Sequence, residues 1–130
     1  MNTTIELKVK TAEGSEKTYS VQFPNNGQII DISVMRGRLS SGQYAEMEFA
    51  AAYDPLVKRA KDLIDMMCVF SVLIPDLKKD INVKSFVELN REATDILLDV
   101  YRTQFLPWYS EWLKTLSSPE KIEERNDTNP

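Results

Sequence analysis

The sequence predicts an α+β fold in which an antiparallel β-hairpin or meander precedes a helical bundle. Three observations carry this prediction. Near the start, apolar residues alternate with polar ones, the period of a half-buried strand. From residue 40 onward they recur at three- and four-residue steps, the period of one helix face. All four glycines stand before residue 43, which places turn-rich chain first and uninterrupted helix after it. The 130 residues then divide into a single domain over 1–116, with its β part over 4–34 and its helical part over 41–116. A mobile polar tail is expected over 117–130.

Ile5, Leu7 and Val9 alternate with Glu6, Lys8 and Lys10, which predicts the first strand. Thr11 to Glu16 turns the chain back, with Gly14 free to take a positive φ. Tyr19, Val21 and Phe23 alternate again and complete a hairpin. The cluster Pro24-Asn25-Asn26-Gly27 stops this strand. Beyond it Ile30, Ile32 and Val34 alternate with Asp31 and Ser33, which predicts a third strand. Three strands with apolar faces need a cover, and the helices that follow supply it.

Ser40 with Gln43 reads as a capping box that opens a helix through Ala52 or Tyr53. Asp54-Pro55 restarts it, an N-cap aspartate before proline at the first helical position. Leu56, Ala60, Leu63, Ile64, Met67, Phe70 and Ile74 form its apolar stripe. Lys58–Asp62 and Lys61–Asp65 are i,i+4 pairs of opposite charge on its solvated side. Pro75 ends this helix, and Asp76 to Asp80 forms a short turn of another. Ser85 with Glu88 is a second capping box, ahead of a stripe of Leu89, Ala93, Ile96, Leu97, Val100 and Tyr101. Pro107 kinks or breaks that helix, leaving Trp108 to Leu116 as the last segment.

The composition removes much chemistry. There is no histidine, hence no ordinary general base near neutral pH, no Ser-His or Cys-His pair, and no histidine metal site. Cys68 is the single cysteine, so intrachain disulfides and cysteine metal clusters are impossible. No catalytic, metal or cofactor site is expected, and the chain is read as other than an enzyme. The longest apolar run, Met66 to Ile74 with Ser71 inside it, is too short to span a bilayer, and the N-terminus lacks a signal-peptide pattern. The formal charge is -4. Residues 1–39 hold five basic against four acidic side chains, 40–118 nine against twelve, and 119–130 two against four. No stretch concentrates the positive charge that phosphate backbones attract, so nucleic acid is not an expected partner.

Four features remain as candidate sites. Glu88, Glu92, Asp95 and Asp99 would share one helix face, either as a solvated acidic surface with Arg91 and Arg102 beside it or as a dock for a basic partner. Cys68, within Met66-Met67-Cys68-Val69-Phe70, reads as a buried small hydrophobe. Arg36 and Arg38 flank Gly37 in an expected loop, either a plain surface loop or a clamp for an anion or a partner's carboxylate. Phe105, Trp108, Tyr109 and Trp112 concentrate aromatic bulk near the C-terminal tail. They serve either core packing or, since tryptophan and tyrosine are enriched among interface anchors, partner binding.

The order of these features resembles a known group of proteins. A hairpin ending in Phe23-Pro24 is followed by Gly27-Gln28-Ile29-Ile30-Asp31-Ile32 and by Leu39-Ser40-Ser41-Gly42-Gln43-Tyr44, then by an acidic helical body with a charged tail. That arrangement is similar to small morphogenesis proteins of tailed bacteriophages, most nearly their tail assembly chaperones. The likeness is one of overall texture across residues 5–116, and it transfers no functional residue. It implies a non-enzymatic assembly factor or virion component that binds the tape-measure protein or tail and virion subunits. It further implies a homo-oligomer or part of a larger assembly, located in the host cell cytoplasm or the virion. The alternative is an acidic inhibitor or adaptor that occupies a basic surface of a host protein.

Overall fold

The computed structural model describes residues 2–10 and 14–116. The polar tail expected over 117–130 lies outside the described residues, as do Thr11, Ala12 and Glu13, where the sequence predicts the turn to begin. Two strands, β1 (Thr4–Lys10) and β2 (Glu16–Gln22), pair antiparallel from Thr4 opposite Gln22 to Lys10 opposite Glu16. Among the described residues six helices follow: α1 (Asn26–Leu39), α2 (Tyr44–Ala50), α3 (Pro55–Leu73), α4 (Pro75–Asp80), α5 (Arg91–Val100) and α6 (Leu106–Leu116). A 3-10 turn at Phe86–Glu88 precedes α5, and a π turn at Tyr101–Phe105 joins α5 to α6. The α+β order predicted from periodicity and glycine placement is the order observed.

The hairpin is amphipathic, as its alternation requires. Leu7, Val9 and Val21 are buried, while Glu6, Lys8, Lys10, Thr18, Ser20 and Gln22 face water. A lone two-stranded ribbon is marginal in water, and here β1 lies against α5 and the π turn. Its apolar side chains enter one core with Met66, Val69 and Phe70 of α3, Leu97 and Leu98 of α5, and Phe105. Phe70 sits edge-on to both Tyr101 and Phe105, each centroid 5.8 Å away. That geometry sets the positive edge of one ring against the negative face of the next.

The third strand expected over Ile30–Val34 is instead the middle of α1, so the β part ends with β2 and not at residue 34. The cause is local. The Asn25 side chain accepts from the Gln28 N–H at 2.9 Å, and the Gln28 side chain accepts from the Asn25 N–H at 3.0 Å. This complete capping box satisfies two donors that a nascent helix would leave orphaned. Helical spacing then turns only Ile32 fully inward, and leaves Ile30 and Val34 61% and 54% exposed.

Other boundaries shift for similar reasons. Ser40 closes α1 with its hydroxyl donating to the Gly37 carbonyl at 3.3 Å, so the expected box with Gln43 does not form. Ser41 and Gly42, at φ +52 and +76, carry the chain into α2. Asp54 caps α3 ahead of Pro55, as its sequence predicts, accepting from Leu56 N–H at 3.0 Å. Ser85 caps the 3-10 turn, and Asn90 caps α5 by accepting from the Ala93 N–H at 2.9 Å.

Pro107 does not break the last helix. Its ring would press on the carbonyl four residues earlier in a regular α-helix, and the π turn just before it widens the spiral, with Leu106 N–H reaching back to the Tyr101 carbonyl. One extra residue in the turn absorbs the proline. Replacing Asn25 with Ala removes one half of the α1 box and should lower unfolding free energy by about 1 kcal/mol in urea titration. An unchanged midpoint would show that packing on α3 alone holds α1.

Candidate functional site

The aromatic segment folds back on the N-terminal strand. Phe105 and Tyr109 are buried, and Trp108 and Trp112 are half-buried. Both indole N–H groups donate to one acceptor, the Asn2 carbonyl, each at 2.7 Å. One turn before Trp108, the Gln104 side chain accepts from the Lys8 N–H at 2.8 Å and donates to the Lys8 carbonyl at 3.0 Å. Gln104, Trp108 and Trp112 are spaced by four residues and so share one helix face, laid along the open edge of β1. Phe23 fills the space beneath, 6.2, 5.8 and 5.3 Å from Trp108, Tyr109 and Trp112 by ring centroid. Most of the aromatic bulk that could anchor a partner thus packs within the chain itself.

Arg36 and Arg38, expected in a loop, stand on the last turns of α1. Arg38 is exposed. Arg36 lies over the Tyr44 ring, its guanidinium carbon 4.4 Å from the centroid, and its Nε is 3.3 Å from Asp65 Oδ1. That Nε–H makes no hydrogen bond, so the contact with Asp65 is one of charge alone. Asp65 also accepts from the Tyr44 hydroxyl at 2.7 Å and from Lys61 Nζ at 3.1 Å. Burial and this bond to a carboxylate raise the Tyr44 phenol well above its ordinary range.

One turn away, Asp62 accepts from Lys58 Nζ at 2.8 Å to both oxygens and from Arg102 at 2.8 and 3.2 Å. Burial works against its charge, but the bonds from Lys58 and Arg102 outweigh burial and hold the carboxyl below its usual value. Both aspartates are buried, which corrects the expectation that the Lys58–Asp62 and Lys61–Asp65 pairs lie on a solvated side. Leu56, expected to lead the buried stripe of α3, is 77% exposed. Arg102 cannot shield the acidic face of α5 because it turns to Asp62.

On that face Glu92, Asp95 and Asp99 are exposed, with Asp95 paired to Arg59 at 2.9 Å; Glu88 belongs to the 3-10 turn instead. A cleft of about 500 Å³ lies between the end of the hairpin and α4–α5, floored by Val9, Ile81, Leu89 and Leu97. At its rim Asp80 takes both the Lys17 ammonium at 3.0 Å and the Tyr19 hydroxyl at 2.7 Å. Among the described residues, no cluster of three or more acidic, cysteine or histidine side chains has metal-holding geometry. Cys68 is fully buried, and burial pushes its thiol up to about 11, far from the thiolate a nucleophile needs.

Sequence patterning passed over one exposed apolar surface. Phe49, Tyr53 and Leu56, at the bend from α2 to α3, are 74%, 68% and 77% exposed. The two rings meet edge to face at 5.7 Å. Tyr44 and Met47 lie half-buried on the inward side of α2, and Phe49 falls off that side. No family model, curated protein or solved structure matches the chain.

Two outcomes test this account. Trp108→Phe and Trp112→Phe should each cost about 0.5–1.5 kcal/mol. The double variant should cost more than the sum, because Asn2 O keeps one donor in either single variant and loses both in the pair; a denaturation double-mutant cycle measures this. For Asp62, a lowered folded-state value means stabilisation present above the ordinary carboxylate range near ~3.9 and lost as pH falls through the folded value. Asp62→Asn should therefore flatten the acid limb of the stability profile. At pH 7 it should cost about 1–2 kcal/mol, discounted because Lys58 and Arg102 stand partly in water.

Proposed function

We propose that this chain acts by protein–protein contact and not by catalysis, using the Phe49–Tyr53–Leu56 surface as its apolar anchor. The supporting observation is the grouping of three large side chains, each more than two-thirds exposed, at one bend. Scattered exposed apolar residues are normal on a monomer, whereas grouped ones mark contact surfaces. Aromatic side chains are also the usual anchors of binding energy. Glu46, Glu48 and Asp54 surround the bend and are exposed, so the fitting partner is an apolar pocket or groove with a basic rim.

The resemblance to phage tail assembly chaperones supplies the biological form of this proposal. In it, the protein is an assembly factor or virion component that binds the tape-measure protein or tail and virion subunits, in the host cytoplasm or the particle. The second reading is an acidic inhibitor or adaptor, favoured by the exposed Glu92 and Asp99 on α5. Salt separates them: anchoring on Phe49 survives added salt, whereas docking through carboxylates weakens steeply with it.

Phe49→Ser, Tyr53→Ser and Leu56→Ser, made separately, should each leave stability within about 0.5 kcal/mol. Titrated calorimetrically against purified tape-measure protein, at least one should bind about 30-fold more weakly, the ~2 kcal/mol of a truncated anchor. Parent-like binding by all three variants would overturn the proposal.

A further inference from the structure

The two edges of the hairpin are unlike. Lys8 gives both its N–H and its carbonyl to Gln104, so the even-numbered residues of β1 turn their backbone groups away from β2. The pairing carries this alternation across the ladder, and Glu16, Thr18, Ser20 and Gln22 direct their N–H and carbonyl groups to the far edge of β2. On the β1 side the edge is closed at Lys8 by Gln104 and at Asn2 by the two indoles. On the β2 side Thr18, Ser20 and Gln22 are exposed, and among the described residues nothing bonds to their outward groups. Of the usual guards of an edge, proline and a bulge are missing, and the inward-facing Lys17 is taken up by Asp80 at 3.0 Å. Residues 16–22 contain no proline, the ladder has no bulge, and Thr18, Ser20 and Gln22 are uncharged.

We propose that β2 of a second copy of this chain occupies that edge, antiparallel about a two-fold axis at Tyr19, to form one continuous four-stranded sheet. This register alone pairs all seven residues of the strand, and it supplies about eight backbone hydrogen bonds. Directly opposed residues share a face, so the wet face continues with Glu16 beside Gln22 and Thr18 beside Ser20 of the second copy. The inner face continues with Lys17 beside Val21, and Tyr19 beside its own twin. No like charges oppose. Tyr19 is half-buried in the single chain, and at the axis its ring meets the other in a non-hydrogen-bonded pair, where side chains approach most closely. An unrelated peptide would need this same alternation to continue both faces, and β2 already has it. The contact is independent of the Phe49 bend.

Sedimentation velocity of the full chain from about 1 to about 500 μM tests the proposal. The parent should shift from monomer to dimer across that range. Ser20→Pro removes only an outward N–H, so no bond inside the hairpin is lost; it should raise the dimer dissociation constant at least about tenfold with melting unchanged. T18K/S20K and T18E/S20E each oppose like charges across the axis and should stay monomeric alone, and mixing them should restore a dimer. Phe49→Ser should dimerise like the parent. A parent that stays monomeric throughout overturns the proposal. So does a dimer that survives in S20P and both charge variants, or one that Phe49→Ser abolishes.

Discussion

A two-stranded ribbon is at best marginal in water, and the molecule is organised around covering β1. Its inner face is taken by Val69, Phe70, Leu97 and Phe105. Its open edge is taken by one face of the π turn and the last helix, through Gln104, Trp108 and Trp112. These contacts join residues 96 to 110 positions apart, so hairpin and last helix gain their stability together. The π turn belongs to the same device. By accommodating Pro107 without a break, it keeps Gln104 in step with the two tryptophans and stacks Tyr101 on Phe105 at 5.7 Å.

The far side of α3 is held by different means. α2 has no fully buried residue, and it is tied down by Tyr44, whose hydroxyl and ring face engage Asp65 and Arg36. Asp62 and Asp65 each draw two cations into a half-dry layer, where a carboxylate left alone would be costly. Such polar ties fix geometry more than they add stability. They leave the outer side of α2 with little to pack against, and Phe49 stands in water as a consequence.

Two surfaces with opposite character follow from these constraints. The bend at Phe49, Tyr53 and Leu56 is apolar and offers binding energy without direction. The edge of β2 is polar and offers directed backbone groups with little apolar area. The buried aspartates and Cys68, by contrast, are already satisfied or desolvated, and they offer no reactive group to a substrate.

Whatever depends on neighbours along the chain is legible in the residues alone. Alternation over residues 5–9 and 19–23 marked the hairpin, Asp54-Pro55 marked the start of α3, and the apolar setting of Cys68 marked its burial. Three alternating residues at Ile30, Ile32 and Val34 were too few to separate a strand from a helix; the hydrogen bonds between Asn25 and Gln28 decided it, and that pair is visible in the sequence to anyone weighing caps above alternation. Where the long polar side chains go depends on contacts between distant parts of the chain. Arg102 was placed beside the acids of its own helix, yet it reaches Asp62, 40 residues earlier. Gln104 and the two tryptophans likewise find their acceptors on the first strand. Periodicity reports which side of a helix is apolar, but a guanidinium, an amide or an indole N–H is drawn to whichever unsatisfied group folding brings within hydrogen-bond reach.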